Sequence, residues 1–304
     1  MTRVSVSISP VALLRIAKHC ESAPSAVVSG CLVGLDNAEG EVEVTNVFIH
    51  PAKGAADFQP QQDGADQTVT EGSAFSAAAA FQTESVKLLK TANCDSNIVG
   101  WFHSSHFSSF VNESTVEIQF DYQTQNSNSV LVVFDASFKT TVKAFRLSDA
   151  YMEFHKTMRD RKSQGPATLI TGGPVTFNTA SDAVFEEVPV KVALSVLDEA
   201  FLFENRRNRA MMTAARKPIS ASAVQQLSES VEDLAIEKVR FAQLSQGKAP
   251  ITGATRIRGE DEAKRLQSAN DLILLTENVK RLSQHVEEAA RESASLVSLY
   301  DASR

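Results

Sequence analysis

The hydrophobic pattern of this 304-residue chain changes near residue 193, and this change limits the folds that the chain can adopt. Before that point, short apolar or alternating runs typical of β-strands alternate with stretches whose apolar residues recur every three or four positions, as in amphipathic helices. After it, only the helical spacing continues. The pattern predicts an α/β fold of the α+β type over residues 1–192, with a mixed β-sheet flanked by helices in three layers, and helices alone beyond it.

Local start signals place several of these elements along the chain. Ser9-Pro10 is an N-cap residue followed by proline at the first helical position. Residues 114–117 have the Ser-x-x-Glu spacing of a capping box, in which Glu117 is the N3 carboxylate, and Asn112 is an alternative helix start. Residues 184–192 (VFEEVPVKV) predict one strand with its acidic side chains exposed.

Composition narrows the cellular setting of the protein. Apolar residues make up 43% of the chain, which is enough to form a hydrophobic core. Cys20, Cys31 and Cys94 show no C-x-x-C spacing, so they are typical of free thiols in a reducing compartment. No apolar run approaches the length of a membrane span, and the first residues lack the apolar segment of a signal peptide. We therefore expect a cytoplasmic protein with no membrane contact.

Charge is distributed unevenly between the two halves of the chain. Residues 1–150 hold sixteen acidic and nine basic side chains, whereas residues 151–304 hold twenty-one of each. Phosphate backbones repel an acidic surface, and no basic stripe with interleaved aromatic residues occurs in the sequence. Direct binding of nucleic acid is therefore not expected, whereas contact with a nucleoprotein through protein partners remains open.

Residues 99–110 (VGWFHSSHFSSF) carry two histidines, His103 and His106, at the end of a predicted strand. A catalytic zinc ion requires three protein ligands, an open position for water and a nearby carboxylate that accepts a proton. An H-x-H pair at a strand end can bind one ion, but H-x-x-H requires a turn of backbone between the two rings. Ser105 is a poor ligand because its hydroxyl stays protonated near neutral pH. Glu117 is the nearest acid that could act as a third ligand.

This stretch resembles the zinc-site segment of MPN (JAMM-like) domains with an incomplete ligand set. In the deubiquitinating members, a G-W-Y/F-H-S/T-H-P run precedes a helix that supplies an aspartate, and an earlier strand supplies a glutamate as general base. By this resemblance His103 matches the first histidine, Ser105 stands at the second, and Glu117 is displaced by one residue from the aspartate. Val27 occupies the place of the general base. The resemblance implies no catalytic residue, no metal site and no cofactor.

Six segments together resemble the h-subunit family of eukaryotic translation initiation factor 3. They are VVSGCLVGL (27–35), VEVTNVFIHP (42–51), VGWFHSSHFSSF (99–110), QFDYQ (119–123), VKAFRLSD (142–149) and FEEVPVKV (185–192). That family has a degenerate MPN domain followed by C-terminal helices that join a helical bundle. The resemblance implies a non-catalytic scaffold subunit that pairs with a sister, f-type MPN subunit and with PCI-domain subunits. It also implies contact with the small ribosomal subunit, through the complex, during translation initiation.

Two other functions are compatible with parts of the sequence. The non-catalytic MPN subunits of the proteasome lid and of the signalosome have similar folds and helical tails. An active zinc isopeptidase with a rearranged H-x-x-H site is a further alternative, and it requires a carboxylate base that Val27 does not supply.

The last helix has the strongest periodic pattern in the chain. Apolar residues recur at alternating spacings of three and four over four heptads, typical of a seam that packs against other helices. The predicted partner-binding residues of this helix are Leu272, Leu275, Val279, Leu282, Val286, Leu296 and Tyr300. We expect the seam to be partly exposed in the isolated chain, and the alternative is an intramolecular bundle with residues 224–244.

These patterns divide the chain into five predicted segments. They are a degenerate MPN core (1–150), an extension with a helix, an irregular Gly/Pro/Thr stretch and a strand (151–192), a helical region (193–246), a linker (247–259) and a C-terminal bundle helix (260–304).

Overall fold

The computed structural model describes residues 4–22, 27–37, 40–50, 71–135, 141–164, 177, 183–204, 221–246 and 255–302. Within these ranges the strands are β1 (Ser5–Ile8), β2 (Ser29–Asp36), β3 (Glu41–Ile49), β4 (Ile98–Ser105), β5 (Val130–Asp135), β6 (Thr141–Leu147), β7 (Phe185–Val188) and β8 (Val190–Val192). The helices are α1 (Pro10–Ser22), α2 (Glu71–Thr91), α3 (Glu113–Gln125), α4 (Asp149–Gln164), α5 (Val196–Glu204), α6 (Ala221–Gln246) and α7 (Thr255–Ala302).

The strands form one mixed sheet in the order β7-β6-β5-β4-β2-β3-β1-β8. β1 runs parallel to β3 and β8, and β4 runs parallel to β5, whereas the other neighbours are antiparallel. The expectation of a single strand over 184–192 is wrong, because β7 and β8 pair with opposite edges of the sheet. Only Pro189 separates them, so the two edges lie close together. Pro189 has no N–H to donate, but its carbonyl accepts a hydrogen bond from Val6 N at 2.9 Å.

One face of the sheet packs against α1. The helix begins as predicted, since Ser9 Oγ accepts a hydrogen bond from Ala12 N at 3.2 Å. Its buried residues, Ala12, Ile16 and Cys20, contact apolar side chains of the central strands. β5 contributes Val132 to this cluster, among others, while its alternate residues face the opposite side. Burial on both faces explains why β5 is continuously apolar.

The opposite face of the sheet packs against α3, α4 and α7. The buried cluster on this side contains Trp101 of β4, Tyr151 of α4, and both Ile273 and Leu274 of α7. Tyr151 is fully buried, and its hydroxyl donates a hydrogen bond to Asn270 Oδ1 of α7 at 2.8 Å. Helix α7 is therefore part of the same hydrophobic core as the sheet.

Helices α6 and α7 form an intramolecular pair. Leu282 of α7 is fully buried and packs with Phe107 and Ala223, and Leu227 and Val286 complete this cluster. The expectation of an exposed seam in the isolated chain is therefore wrong at Leu282, and the intramolecular alternative describes the helix pair. Whether α7 also binds a partner stays a prediction.

Two further boundaries differ from those expected. Helix α7 begins at Thr255, inside the predicted 247–259 linker, and residues 247–254 lie outside the described ranges. The second is the predicted boundary at residue 150, because β7 and β8 of the 151–192 extension pair with β6 and β1 in the same sheet as the core.

Some predicted features lie outside the described residues. They are most of the irregular 163–181 stretch and the side chains of Leu296 and Tyr300. None of the helices in the described part of the chain combines the length and the hydropathy of a membrane-spanning segment.

Candidate functional site

His103 lies near the end of β4, on the face of the sheet that α3 covers. Its ring is edge-on to that of Trp101, with the two centroids 5.7 Å apart. Burial lowers the pKa of His103 to about 4, so the imidazole is neutral at neutral pH. A neutral imidazole can bind a metal ion, but a zinc site at His103 also requires other ligands beside it.

The loop after β4 places the two histidines in different surroundings. Phe107 and Ser108 both have left-handed backbone conformations, with φ angles of 54° and 59°. His106 is exposed and lies against the ring of Phe107 at a centroid distance of 4.2 Å, whereas His103 is mostly covered. At the second-histidine position, Ser105 Oγ is buried and has no hydrogen-bond partner among the described residues.

Glu117 is directed away from the site. Helix α3 begins after Asn112, whose side-chain oxygen accepts a hydrogen bond from Thr115 N at 2.7 Å. The Ser-x-x-Glu capping box is therefore wrong, and Glu117 stands in the second turn of the helix as an exposed residue. The face of α3 turned toward the sheet is formed instead by Thr115, Val116, Gln119, Phe120 and Gln123.

The general-base position holds no carboxylate. Val27 precedes β2, and 72% of its surface is exposed. The next residue, Val28, joins the end of β4 through a reciprocal pair of hydrogen bonds: Val28 N donates to Ser104 Oγ at 2.7 Å, and Ser104 N donates to the Val28 carbonyl at 2.8 Å. These two bonds hold Val28 against the end of β4, directly after the apolar residue at the general-base position.

A different polar cluster lies beside His103 on the same face. The Cys31 sulfur is 3.2 Å from His50 Nε2 and 3.3 Å from the Tyr122 hydroxyl, and Ser29 Oγ is 3.5 Å from His50 Nδ1. Burial raises the pKa of Cys31 to about 11 and lowers the pKa of His50. The Cys31 thiol is fully buried and stays protonated at neutral pH, so its contacts with His50 and Tyr122 are those of a neutral group.

Two glutamines complete the interior of the site. Trp101 Nε1 donates to Gln119 Oε1 at 2.8 Å, and Gln119 Nε2 donates to Gln123 Oε1 at 2.9 Å and to the Ser129 carbonyl at 3.0 Å. Gln123 also exchanges two hydrogen bonds with the backbone of Leu147. Sequence reasoning missed these roles and that of the Cys31 cluster, although the QFDYQ segment places Gln119, Tyr122 and Gln123 on adjoining positions of one helix face.

Helix α7 crosses the loop that follows β4. Asn278 Nδ2 donates to Ser109 Oγ at 3.2 Å, and Ser108 Oγ is 3.5 Å from His285 Nδ1. A cleft remains between loop and helix, lined by polar side chains that include Asp135, Lys143, Glu187, Arg281 and Glu288. Any ligand that approached the loop from this side would meet α7.

The residues present do not fit a catalytic zinc ion. In the part of the chain that the structure describes, no group of three or more His, Cys, Asp or Glu side chains is placed to hold a metal. Of the expected ligands, His103 is an imidazole, Ser105 is a poor ligand and Glu117 faces outward, so the three cannot complete a tetrahedral set.

Comparison with known proteins finds one matching family model and several similar proteins that share one name. The family model described as JAB1/Mov34/MPN/PAD-1 ubiquitin protease matches residues 2–128. The chain is 30% identical to the H subunit of eukaryotic translation initiation factor 3 from Neurospora crassa over 204 residues, covering 66% of this chain and 54% of the relative.

Two further relatives carry the same name. The H subunit from Dictyostelium discoideum is 31% identical over 208 residues, covering 66% of this chain and 56% of the relative. That from Yarrowia lipolytica is 24% identical over 335 residues, covering 98% of this chain and 92% of the relative. The matches to the Neurospora and Dictyostelium proteins thus span about half of those relatives' length.

Proposed function

Because the chain belongs to the family of the H subunits of eukaryotic translation initiation factor 3, with an MPN domain at its N-terminal end, we propose that it is a non-catalytic scaffold subunit of that factor. In this role it contributes surfaces and helices to the assembly and performs no hydrolysis. It acts in the cytoplasm during translation initiation.

The observation that carries the proposal is the outward position of Glu117, together with the exposed valine at position 27. A zinc isopeptidase requires a third ligand and a general base at the site, and neither residue supplies one. Gln119 and Trp101 form a closed hydrogen-bonded interior on that face of the sheet. The fold of a metalloprotease is thus retained as a rigid support for protein contacts.

The partners follow from the family and from the surface chemistry. We propose pairing with a sister, f-type MPN subunit and shared helical packing with the PCI-domain subunits of the factor. Contact with the small ribosomal subunit is made through the assembled factor, since the acidic first half of the chain has no basic stripe for RNA.

A purification with identification of the bound subunits tests the proposal. The affinity-tagged chain, expressed in its own cells, should bring down the other subunits of initiation factor 3 in constant proportion. Recovery of proteasome-lid or signalosome subunits in their place would overturn the assignment to the initiation factor.

An assay of hydrolysis tests the non-catalytic part of the proposal. The purified protein should leave ubiquitin chains intact after addition of zinc, and its zinc content should stay well below one ion per chain. Cleavage that a chelator abolishes, or stoichiometric zinc that is lost in His103→Ala, would instead favour an isopeptidase with a rearranged site.

A further inference from the structure

The loop between β4 and α3 holds two consecutive residues in a backbone conformation that side chains disfavour. Phe107 and Ser108 have φ angles of 54° and 59°. In this left-handed region the Cβ atom of an L-residue crowds the following carbonyl oxygen, so a bulky residue such as phenylalanine is rarely found there. The conformation persists only where surrounding contacts impose it, and residues of this kind cluster at ligand clamps and switch regions of proteins.

One of the imposing contacts is the carboxylate of Asp135, at the end of β5. Asp135 is 2% exposed, and its Oδ2 atom accepts a hydrogen bond from Ser108 N at 2.5 Å and another from Ser108 Oγ at 3.4 Å. A carboxylate is a stronger acceptor for an N–H group than a neutral carbonyl is. Asp135 therefore holds the backbone of Ser108 in the left-handed conformation.

The second imposing contact is the Phe107 ring, which fills an apolar pocket between α6 and α7. Phe107 is 5% exposed and packs with Ala223 of α6 and Leu282 of α7. The residue before it, His106, is exposed. The loop thus turns outward at His106 and inward at Phe107, and it inserts one side chain of the sheet domain between the two helices.

Helices α6 and α7 depend on this loop to different degrees. Helix α7 has its own contacts with the sheet domain, since Ile273 and Leu274 lie in the core and Arg281 donates a hydrogen bond to a backbone carbonyl of β7. Among the buried clusters of the described residues, α6 meets the sheet domain at Phe107 alone, through Ala223. Loss of that contact releases the start of α6 and leaves α7 in place.

We propose that residues 106–110 form a strained latch, which Asp135 holds closed and which couples the start of α6 to the sheet domain. In the closed state the Phe107 ring lies in its pocket and the Ser108 amide is bonded to Asp135. In the open state both loop residues return to negative φ, the ring leaves the pocket, and the first turns of α6 separate from the sheet domain. The latch is a property of the isolated chain and is independent of the proposed function.

Two opposing effects set the balance between the two states. Burial of the Phe107 ring and the bond to Asp135 favour the closed state, whereas the left-handed conformation of two successive residues favours the open one. Because these effects oppose each other, weakening the bond opens the latch, and relieving the strain closes it further.

Hydrogen exchange of the full chain measures this opening residue by residue. Asp135→Asn keeps the shape of the side chain but removes its charge, so the protection factor of the Ser108 amide should fall about tenfold or more. The amides of residues 225–227 in α6 should lose protection by a similar factor, whereas that of Leu274 in α7 should not change.

Asp95→Asn is the matched control for the change of charge. Asp95 is an exposed residue before the opposite end of β4, and its carboxylate accepts a hydrogen bond from Thr45 Oγ1. This variant should leave the protection of both the loop and α6 as it is in the unmodified chain.

The strain is tested separately by comparing Ser108→Gly with Ser108→Ala. Both variants lack the hydroxyl, but only glycine adopts a φ of 59° without a steric cost. The Ser109 amide, which is bonded to the His106 carbonyl at 3.1 Å, reports on the loop in both variants. Its protection factor should be about threefold or more higher in Ser108→Gly than in Ser108→Ala.

Three outcomes would overturn the latch. The first is unchanged protection of the loop in Asp135→Asn, which would show that the carboxylate does not hold it closed. The second is an equal loss of protection in the loop, α6 and α7, because the loop would then open only with the whole fold. The third is equal or lower protection in Ser108→Gly than in Ser108→Ala, since the closed loop would then carry no strain.

Discussion

The buried amides of Gln119 and Gln123 form a hydrogen-bonded network on the α3 face of the sheet. Gln119 is fully buried, and its side chain is held by Trp101 Nε1, by Gln123 and by the Ser129 carbonyl. Such a network stabilises a fold only when each member is satisfied, because an unpaired buried polar group costs more than a hydrogen bond contributes.

Gln119→Ala should lower the free energy of unfolding by about 1–3 kcal/mol, because Trp101 Nε1 and the Ser129 carbonyl lose their partner. Urea denaturation followed by the fluorescence of Trp101 measures the change. Gln125→Ala is the control, since Gln125 is exposed on the same helix, and it should shift stability by less than about 0.5 kcal/mol. Equal effects of the two variants would contradict a structural role for the network.

His103 should make the protein less stable in mild acid. Its pKa is lowered to about 4 by burial, whereas an unfolded chain has a histidine pKa of about 6.5. The unfolded state therefore binds the proton first, so stability is fully present above pH ~6.5 and is lost as the pH falls toward 4.

Between pH ~7.5 and pH ~5 this single group should remove about 2 kcal/mol of stability. His103→Gln, which cannot titrate, should show a correspondingly smaller loss in urea denaturation over the same range. Proton NMR of the imidazole provides an independent check, and a His103 signal that titrates near pH ~6.5 would contradict the buried neutral state.

Sequence patterns locate helices better than they locate the groups that a helix buries. The pattern predicts the helix after the His103 loop, but the strong local signal of Ser-x-x-Glu places its start at Ser114. The structure uses the alternative, Asn112. The buried glutamines escape prediction, because polar residues at helical spacing usually mark a solvent-facing surface.

The strand signal at 184–192 shows a second limit of local patterns. Its alternation correctly predicts extended backbone with exposed acids at Glu186 and Glu187. It carries no information about pairing, and the two halves on either side of Pro189 join opposite edges of the sheet. Pairing of β8 with β1 links residues far apart in sequence, which a local pattern does not encode.

Helix α7 contacts the sheet through a largely buried arginine. Arg281 pairs with Glu277 at 2.8 Å, donates to the Phe185 carbonyl at 3.0 Å and lies over the rings of Phe110 and Phe145, at 5.3 and 4.6 Å from the centroids. The guanidinium thus has two acceptors and two aromatic faces, whereas its buried Nε has no hydrogen-bond partner among the described residues.

Arg281→Ala should lower the free energy of unfolding by about 3–5 kcal/mol, because the buried Glu277 carboxylate loses its partner. Arg291→Ala is a close control: Arg291 forms the same i,i+4 pair with Glu287, but both side chains are mostly exposed, and the loss should be about 0.5 kcal/mol or less. Similar losses in thermal or urea unfolding would show that Arg281 does not hold α7 to the sheet.

The last helix, α7, packs against the sheet domain of its own chain, which the periodicity of its apolar residues alone does not indicate. The 3-4 spacing predicts an interface, but a seam of this kind does not specify whether its partner lies in the same chain. Here Ile273 and Leu274 enter the core beside Tyr151, and Leu282 covers Phe107 of the degenerate loop. The region that resembles a protease site and the helical region therefore form one structural unit.

Removal of α7 should consequently destabilise the sheet domain. A chain that ends at Gln246 exposes the Tyr151 ring and loses the burial of Ile273 and Leu274, each worth roughly 1.5–3 kcal/mol. A domain with a typical stability of about 5–15 kcal/mol would lose a large part of it. Thermal unfolding and limited proteolysis should show a lower midpoint and faster cleavage of the fragment than of the full chain.

A chain that ends at Arg291 is the matched control for this truncation. It retains Asn270, Ile273, Leu274, Arg281 and Leu282, and therefore keeps the contacts of α7 with the sheet and with the degenerate loop. It should unfold at nearly the same temperature as the full protein, although it also lacks part of the C-terminal helix. If the fragment ending at Gln246 were instead as stable as both longer chains, α7 would be a detachable tail, and its seam would be free for a partner subunit after all.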